Sequence, residues 1–137
     1  MMFLFTIGKT KNLFFKEAIA AYVKKIRSLR KIEVYEVKDE AALLKALKKD
    51  FFIIVLEPHG KQFSSEELAL FIKKKELEKD IAFVLGDENG LGKEIEKKAN
   101  VILSFSRMTF PHELARVMVL EQVYRALSIN ANLPYHK

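Results

Sequence analysis

The chain of 137 residues contains no cysteine. Disulfides, thiolate metal ligands and a cysteine nucleophile are excluded together, and the composition suits a reducing compartment. Histidine is almost as scarce: His59, His112 and His136 are scattered, and no metal site is expected. No apolar run approaches the roughly 20 residues that span a bilayer. The opening Met1-Met2-Phe3-Leu4-Phe5 lacks the basic flank and the length of a signal peptide, so a cytoplasmic protein is expected. Repeats are absent, and the five glycines and three prolines form no linker-like stretch. One domain over residues 1–137 follows.

Half of the residues are apolar and 11 are Phe, enough to build a real core. Lys and Arg number 24 against 18 Asp and Glu, a net charge of +6. The excess suits a phosphate-bearing partner and equally a plain basic surface. Its clusters are Lys9, Lys11 and Lys16; then Lys24, Lys25, Arg27, Arg30 and Lys31; then Lys73 to Lys75, whose neighbours Glu76, Glu78 and Asp80 mark a solvated helix end.

Short apolar runs alternate with helix-period segments throughout, which is an α/β pattern. Strands are expected at residues 2–7, 32–37, 51–56, 81–85 and 101–105, the third and fourth apolar enough to be buried on both faces. Helices are expected at 13–29, at 39–49 behind Asp39, at 65–75 behind the Ser64-x-x-Glu67 capping box, at 92–99, and at 111–129 with Pro111 in its first turn. Strand order is not legible. The last helix carries apolar residues nearly all round it, broken by Arg116, Glu121 and Arg125. It reads either as a monomer's core helix or as one packed on the sheet and on a second copy of the chain.

Three connections leave apolar strands at their expected carboxyl ends, where open α/β sheets place ligands. Gly86-Asp87-Glu88-Asn89-Gly90-Leu91-Gly92 fits neither the P-loop nor the dinucleotide fingerprint. Its glycines permit close approach to a ligand or simply a turn. The stretch from Ser104 to Pro111 offers hydroxyls and free backbone amides, and Leu56-Glu57-Pro58-His59-Gly60-Lys61 is the third connection. His59 and His112 read as structural. The tail Leu133-Pro134-Tyr135-His136-Lys137 does not read as idle: it joins a rigid turn, an aromatic, an imidazole and a cation.

Phe83-Val84-Leu85-Gly86 with Gly90-Leu91, Thr109-Phe110-Pro111-His112, Arg116-Val117, Glu121-Gln122-Val123-Tyr124-Arg125-Ala126, Ser128-Ile129 and Pro134-Tyr135-His136 occur in that order. Together they resemble the ribosomal RNA large-subunit methyltransferase H family, minimal members of the SPOUT superfamily. The resemblance implies an α/β SPOUT-type sheet flanked by helices with a C-terminal trefoil knot, and a homodimer. It implies S-adenosyl-L-methionine-dependent methylation of N3 of a pseudouridine in 23S rRNA, with assembled ribosomes as substrate. Cofactor contacts carried over by position are Leu56, Gly86, Asp87, Ser106, Arg107, Met108, Thr109, Phe110 and Pro111, and the tail is expected to reach the site of the other subunit. His136 is then the candidate general base, Tyr135 positions or stacks on the target base, Lys137 is a candidate for RNA, and Arg116 and Arg125 are candidates for RNA, the cofactor or a polar seam of the dimer. The alternatives are a non-catalytic basic RNA-binding or ribosome-associated dimer, and a SPOUT enzyme acting on another RNA.

Two positions depart from the family's usual pattern. Asp87 stands where a second glycine is usual, so its Cβ and carboxylate either crowd the cofactor or bond to it. Lys137 stands where Arg is usual, replacing a planar fork with a point charge and predicting weaker RNA affinity.

Overall fold

A computed structural model describes residues 1–47 and 49–136. Five parallel strands form one sheet in the order β2-β1-β4-β3-β5, with β1 at Met2–Ile7, β2 at Ile32–Val37, β3 at Phe52–Gln62, β4 at Ile81–Leu85 and β5 at Val101–Ser104. Helices α1 (Leu13–Arg27), α2 (Glu40–Ala46), α3 (Ser65–Lys75), α4 (Lys93–Lys98) and α5 (His112–Asn130) connect or follow them. Strand period sorts the core into two layers. Met2 and Leu4 of β1 pack with Ile54, Phe83 and the helices α1, α3 and α5, whereas Phe3, Phe5 and Ile7 join Val55, Val84, Leu43 of α2 and Ile95 of α4. β1 and β4 are buried throughout, as central strands covered on both faces must be.

Helix ends match the capping chemistry. Asn12 and Asp39 accept hydrogen bonds from the amides of Phe14 and Ala42, and Ser64 and Glu67 form a reciprocal capping box. Pro111 sits one place earlier than expected, at the N-cap of α5 and not in its first turn. At the other end Asn132 takes a left-handed φ of 57°, and the amide of Leu133 bonds back to Ser128 O at 2.9 Å. This reversal turns the tail back along α5.

β3 is the largest departure from sequence expectation. Residues 57–61 read as a connection because Pro58 cannot donate to a ladder and Gly60 favours a turn. The ladder with β5 instead breaks after Leu56 and resumes at Lys61, both of which register with Leu103, so the stretch between them bulges from a continuous strand. Gly60 makes this fit: a Cβ there would lie 2.6 Å from Ile102 O.

Gly60→Ala is therefore expected to cost about 2–3 kcal/mol through a backbone clash that cannot relax. Gly8 has φ +84° but open space around it, so Gly8→Ala should cost only about 1 kcal/mol. Urea unfolding of both variants checks the order; a smaller loss at Gly60 would contradict the packing.

Candidate active site

The carboxyl ends of β3, β4 and β5 and the start of α5 enclose a cavity of about 560 Å³, a size that suits a small organic ligand. Leu56, Glu57 and Pro58 enter from the β3 bulge, Leu85 to Gly90 from the connection after β4, and Phe105, Ser106, Met108, Thr109, Phe110 and Pro111 from the connection after β5. His112 and Ala115 close the wall from α5. The three connections singled out in the sequence thus meet at one place. Ser104 ties two of them together, its hydroxyl lying 2.9 Å from Pro58 O and 2.8 Å from Ser106 O while accepting from Ser106 N.

The connection after β4 is a built turn. Asp87 and Gly90 form an isolated bridge, Gly90 N donates to Asp87 O at 3.0 Å, and Gly90 has φ +75°. The Asp87 carboxylate accepts from Asn89 N at 2.9 Å, so its side chain organises the turn. The residue that cannot carry a Cβ is Gly86, where one would lie 2.6 Å from Gly90 O. Both readings of these glycines hold together: a tight turn whose backbone lines the cavity.

Charge sets the cavity apart from the rest of the surface. Glu57, Asp87 and Glu88 line it, whereas no Lys or Arg among the described residues does, on a chain of net charge +6. Burial raises the Glu57 carboxyl above its ordinary range, partly offset by the Leu91 amide, which donates to Glu57 Oε1 at 3.1 Å. Phosphate would meet repulsion here, and a cationic ligand attraction.

Beside the cavity, α5 is fastened by Arg116, which is 1% exposed. Its guanidinium donates to Ile7 O at 2.7 Å, Thr10 Oγ1 at 2.8 Å and Glu36 Oε2 at 3.1 Å, while Thr10 bonds Glu36 through both its amide and its hydroxyl. Burial lowers the Arg116 pKa, opposed by Glu36, Glu113 and Asp87, yet a guanidinium stays charged. One turn earlier, Glu113 accepts from the amides of Lys11 and Asn12 at 3.1–3.2 Å, which holds its carboxyl below the usual range.

The family profile described as "Predicted SPOUT methyltransferase" matches residues 1–136. Two proteins named Ribosomal RNA large subunit methyltransferase H are similar over essentially their whole length. The one from Caldicellulosiruptor saccharolyticus is 36% identical over 100% of both chains, and the one from Bacillus cereus 39% identical over 98% of both. The chain belongs to the ribosomal RNA large subunit methyltransferase H family of SPOUT proteins. Its fold also matches the SpoU methyltransferase AviRb from Streptomyces viridochromogenes, solved in complex with AdoMet, at TM-score 0.50 and 10% identity over 91% of this chain and 57% of that one.

Within this SPOUT fold, Leu56, Gly86, Asp87, Ser106, Met108, Thr109, Phe110 and Pro111 line the cavity, and Arg107 does not. Glu57, Glu88 and Phe105, which the sequence reading placed in these connections but not among the cofactor contacts, also line it, as does His112, which read as structural. Arg116 corrects the sequence reading that offered it to RNA: its side chain is spent on three internal acceptors and is closed to solvent. Arg125 is also engaged, in a bidentate pair with Glu121. Tyr135 and His136 stand apart from the cavity of their own chain. Tyr135 donates to Glu121 at 2.9 Å and packs on Tyr124, and His136 meets Arg125, so the tail lies on the outward side of α5. From Ala115 at the cavity to Arg125 is roughly 15 Å along the helix. Lys137 lies outside the described residues.

Two substitutions check these assignments. A carboxyl with a raised folded-state pKa contributes its full stability below the unfolded pKa and loses it as pH rises through the folded one. Glu57→Gln keeps an acceptor for Leu91 N, so it should lose less stability than wild type as pH rises from the ordinary Glu value of about 4 through the raised folded-state pKa; pH-dependent urea melts showing equal losses would contradict this. Arg116→Met, which removes the charge, should cost about 2–3 kcal/mol through unmet buried acceptors, yet leave the salt dependence of RNA binding unchanged. A shallower salt slope would restore Arg116 as an RNA contact.

Proposed function

We propose that the chain is a homodimeric S-adenosylmethionine-dependent methyltransferase of large-subunit (23S) rRNA, acting in the cytoplasm on N3 of a pseudouridine in assembled ribosomes. One observation carries the reading: an apolar cavity lined by three carboxylates on a chain of net positive charge. S-adenosylmethionine has an apolar-faced base, an α-ammonium and a sulfonium, and so fits these walls better than a phosphorylated nucleotide would. The names of the full-length relatives and the cofactor bound to AviRb support the same reading.

Leu56, Gly86, Asp87, Ser106, Met108, Thr109, Phe110 and Pro111 are the residues that would hold the cofactor, with Glu57 and Glu88 adding negative charge. When bound, S-adenosylmethionine supplies a methyl group activated by its sulfonium. The residues of the chain contribute position and the exclusion of water more than covalent chemistry. The Asp87 carboxylate is held by Asn89 N at the cavity wall, which supports tolerance of the departure from glycine.

The second copy of the chain is inferred from α5. Leu114, Val117 and Met118 stay half-buried in the single chain, and Leu13 and Phe14 at the adjoining start of α1 are 67% and 71% exposed. A two-fold contact over this surface would bury them and carry the tail of one copy, with Tyr135 and His136, towards the cavity of the other. Exposed Lys9, Lys11 and Arg107 lie on connections at the cavity's end of the sheet and have no ion-pair partner among the described residues. They offer the salt-sensitive phosphate contacts that an rRNA substrate needs. We infer from the family resemblance that the C-terminal half also carries the trefoil knot.

Methyl transfer from labelled cofactor is expected with ribosomes as acceptor and not with tRNA. Mixing a cavity variant, Gly86→Ala, with a tail variant, Tyr135→Ala, should restore about one quarter of wild-type activity, since half the dimers would carry one intact composite site. A mixture no more active than its parts would overturn the shared site.

A further inference from the structure

Arg125 Nη1 lies 2.9 Å from His136 Nδ1. A guanidinium has only donors, so Nδ1 must accept, its lone pair must point at Arg125, and the imidazole proton must sit on Nε2. Arg125 cannot turn away to relax this demand. Its Nε and Nη2 are held by Glu121, at 3.2 Å and 2.7 Å to Oε2, and its guanidinium stacks over the Tyr135 ring at 4.9 Å. The neighbouring residue of the tail is fixed to the same carboxylate through the Tyr135 hydroxyl. Burial, and then hydrogen bonding with Tyr22 and Glu121, raises the Tyr135 pKa, so the phenol remains a donor. On the far side of the ring, Nε2 faces Glu66 Oε1 at 3.5 Å, an acceptor that favours the same tautomer. Glu66 is 66% exposed and free to yield its place.

We propose that Arg125 is a positioning residue that locks His136 in the neutral Nε2–H tautomer, so that the tail gives the reaction a hydrogen-bond donor and not a general base. The inference rests on the proposed rRNA methyltransferase reading and changes the role expected for the tail. A base needs a lone pair directed at the substrate; the lone pair of His136 is spent on Arg125. The N3–H bond of the target base lies between two carbonyl groups. When that bond breaks, the proton passes to water, the electron pair stays on N3, and the negative charge spreads to the two flanking oxygens. An Nε2–H aimed at one of them stabilises this anion as an oxyanion-hole donor does. Lys25, whose ammonium lies 5.6 Å from the Tyr135 ring centroid, adds positive charge beside the tail.

The lock is tested on the purified protein without substrate. In long-range 1H–15N spectra of protein labelled at histidine, with His136 assigned by its loss in His136→Ala, the expected pattern is a pyridine-like Nδ1 and a pyrrole-like Nε2. Arg125→Leu should average the two nitrogens, and Arg125→Lys should restore the wild-type pattern. A pyrrole-like Nδ1 in wild type, or a pattern unmoved in Arg125→Leu, would overturn the lock.

The donor role is tested separately by ribosome methylation. Gln can donate from a position close to that of Nε2 but cannot accept a proton, so His136→Gln should retain most of kcat, while His136→Ala should lose about 100-fold or more. Equal losses in both would mean that a base had been removed. Two variants as active as wild type would remove His136 from the reaction, overturning the donor role while leaving the spectroscopic result standing. Arg125→Leu is expected to lower kcat between about 10- and 100-fold with KM unchanged; a loss confined to KM would identify Arg125 as an RNA contact instead.

Discussion

The buried Arg116 fixes everything functional in this molecule. One face of α5 must wall the cavity and the other must carry the tail, so its axial position has to be set to within a fraction of a helical turn. Apolar packing alone specifies this poorly, because a helix apolar nearly all round can slide or rotate at little cost. Arg116 removes the freedom by reaching a main-chain oxygen at the end of β1, a hydroxyl in the following connection and a carboxylate of β2. Glu113 adds a second tie, to the amides that precede α1. Removing any one member would leave a charge or a polar group buried without its partner, which is why such networks specify one arrangement.

From that fixed helix the two functional halves separate. Near its start, three connections converge where backbone approaches are too close for side chains at Gly60 and Gly86. The carboxylates gathered there reverse the sign of the surrounding charge. Near its end, Asn132 turns the chain back, and Glu121 collects both Arg125 and Tyr135. A single chain keeps these halves apart. The proposed dimer would join a cavity from one copy to a tail from the other, which would make dimerisation part of the chemistry.

Much of the fold and of the cavity is legible in the sequence. Period and capping residues located all five strands and all five helices, since continuous apolar strands and the Ser64–Glu67 box are local signals. The three connections that form the cavity could be singled out from their glycines, hydroxyls and positions after strands. Strand order could not, because it depends on contacts between segments distant in sequence. Nor could the continuation of β3: Pro58 and Gly60 are local signals for a break, and only the approach of Ile102 shows that the strand goes on. Arg116 and Arg125 look alike on a helix otherwise rich in apolar residues; which partners each one meets is set by the tertiary arrangement. The family resemblance supplied residue roles that no periodicity contains.

The most direct measurement is calorimetric titration of the folded protein with S-adenosylmethionine and its demethylated product, alongside the Gly86→Ala variant. Saturable binding by wild type that is lost when a methyl group is placed in the turn is the expected result. Absence of binding to wild type, or binding that survives Gly86→Ala, would contradict the assignment of the cavity.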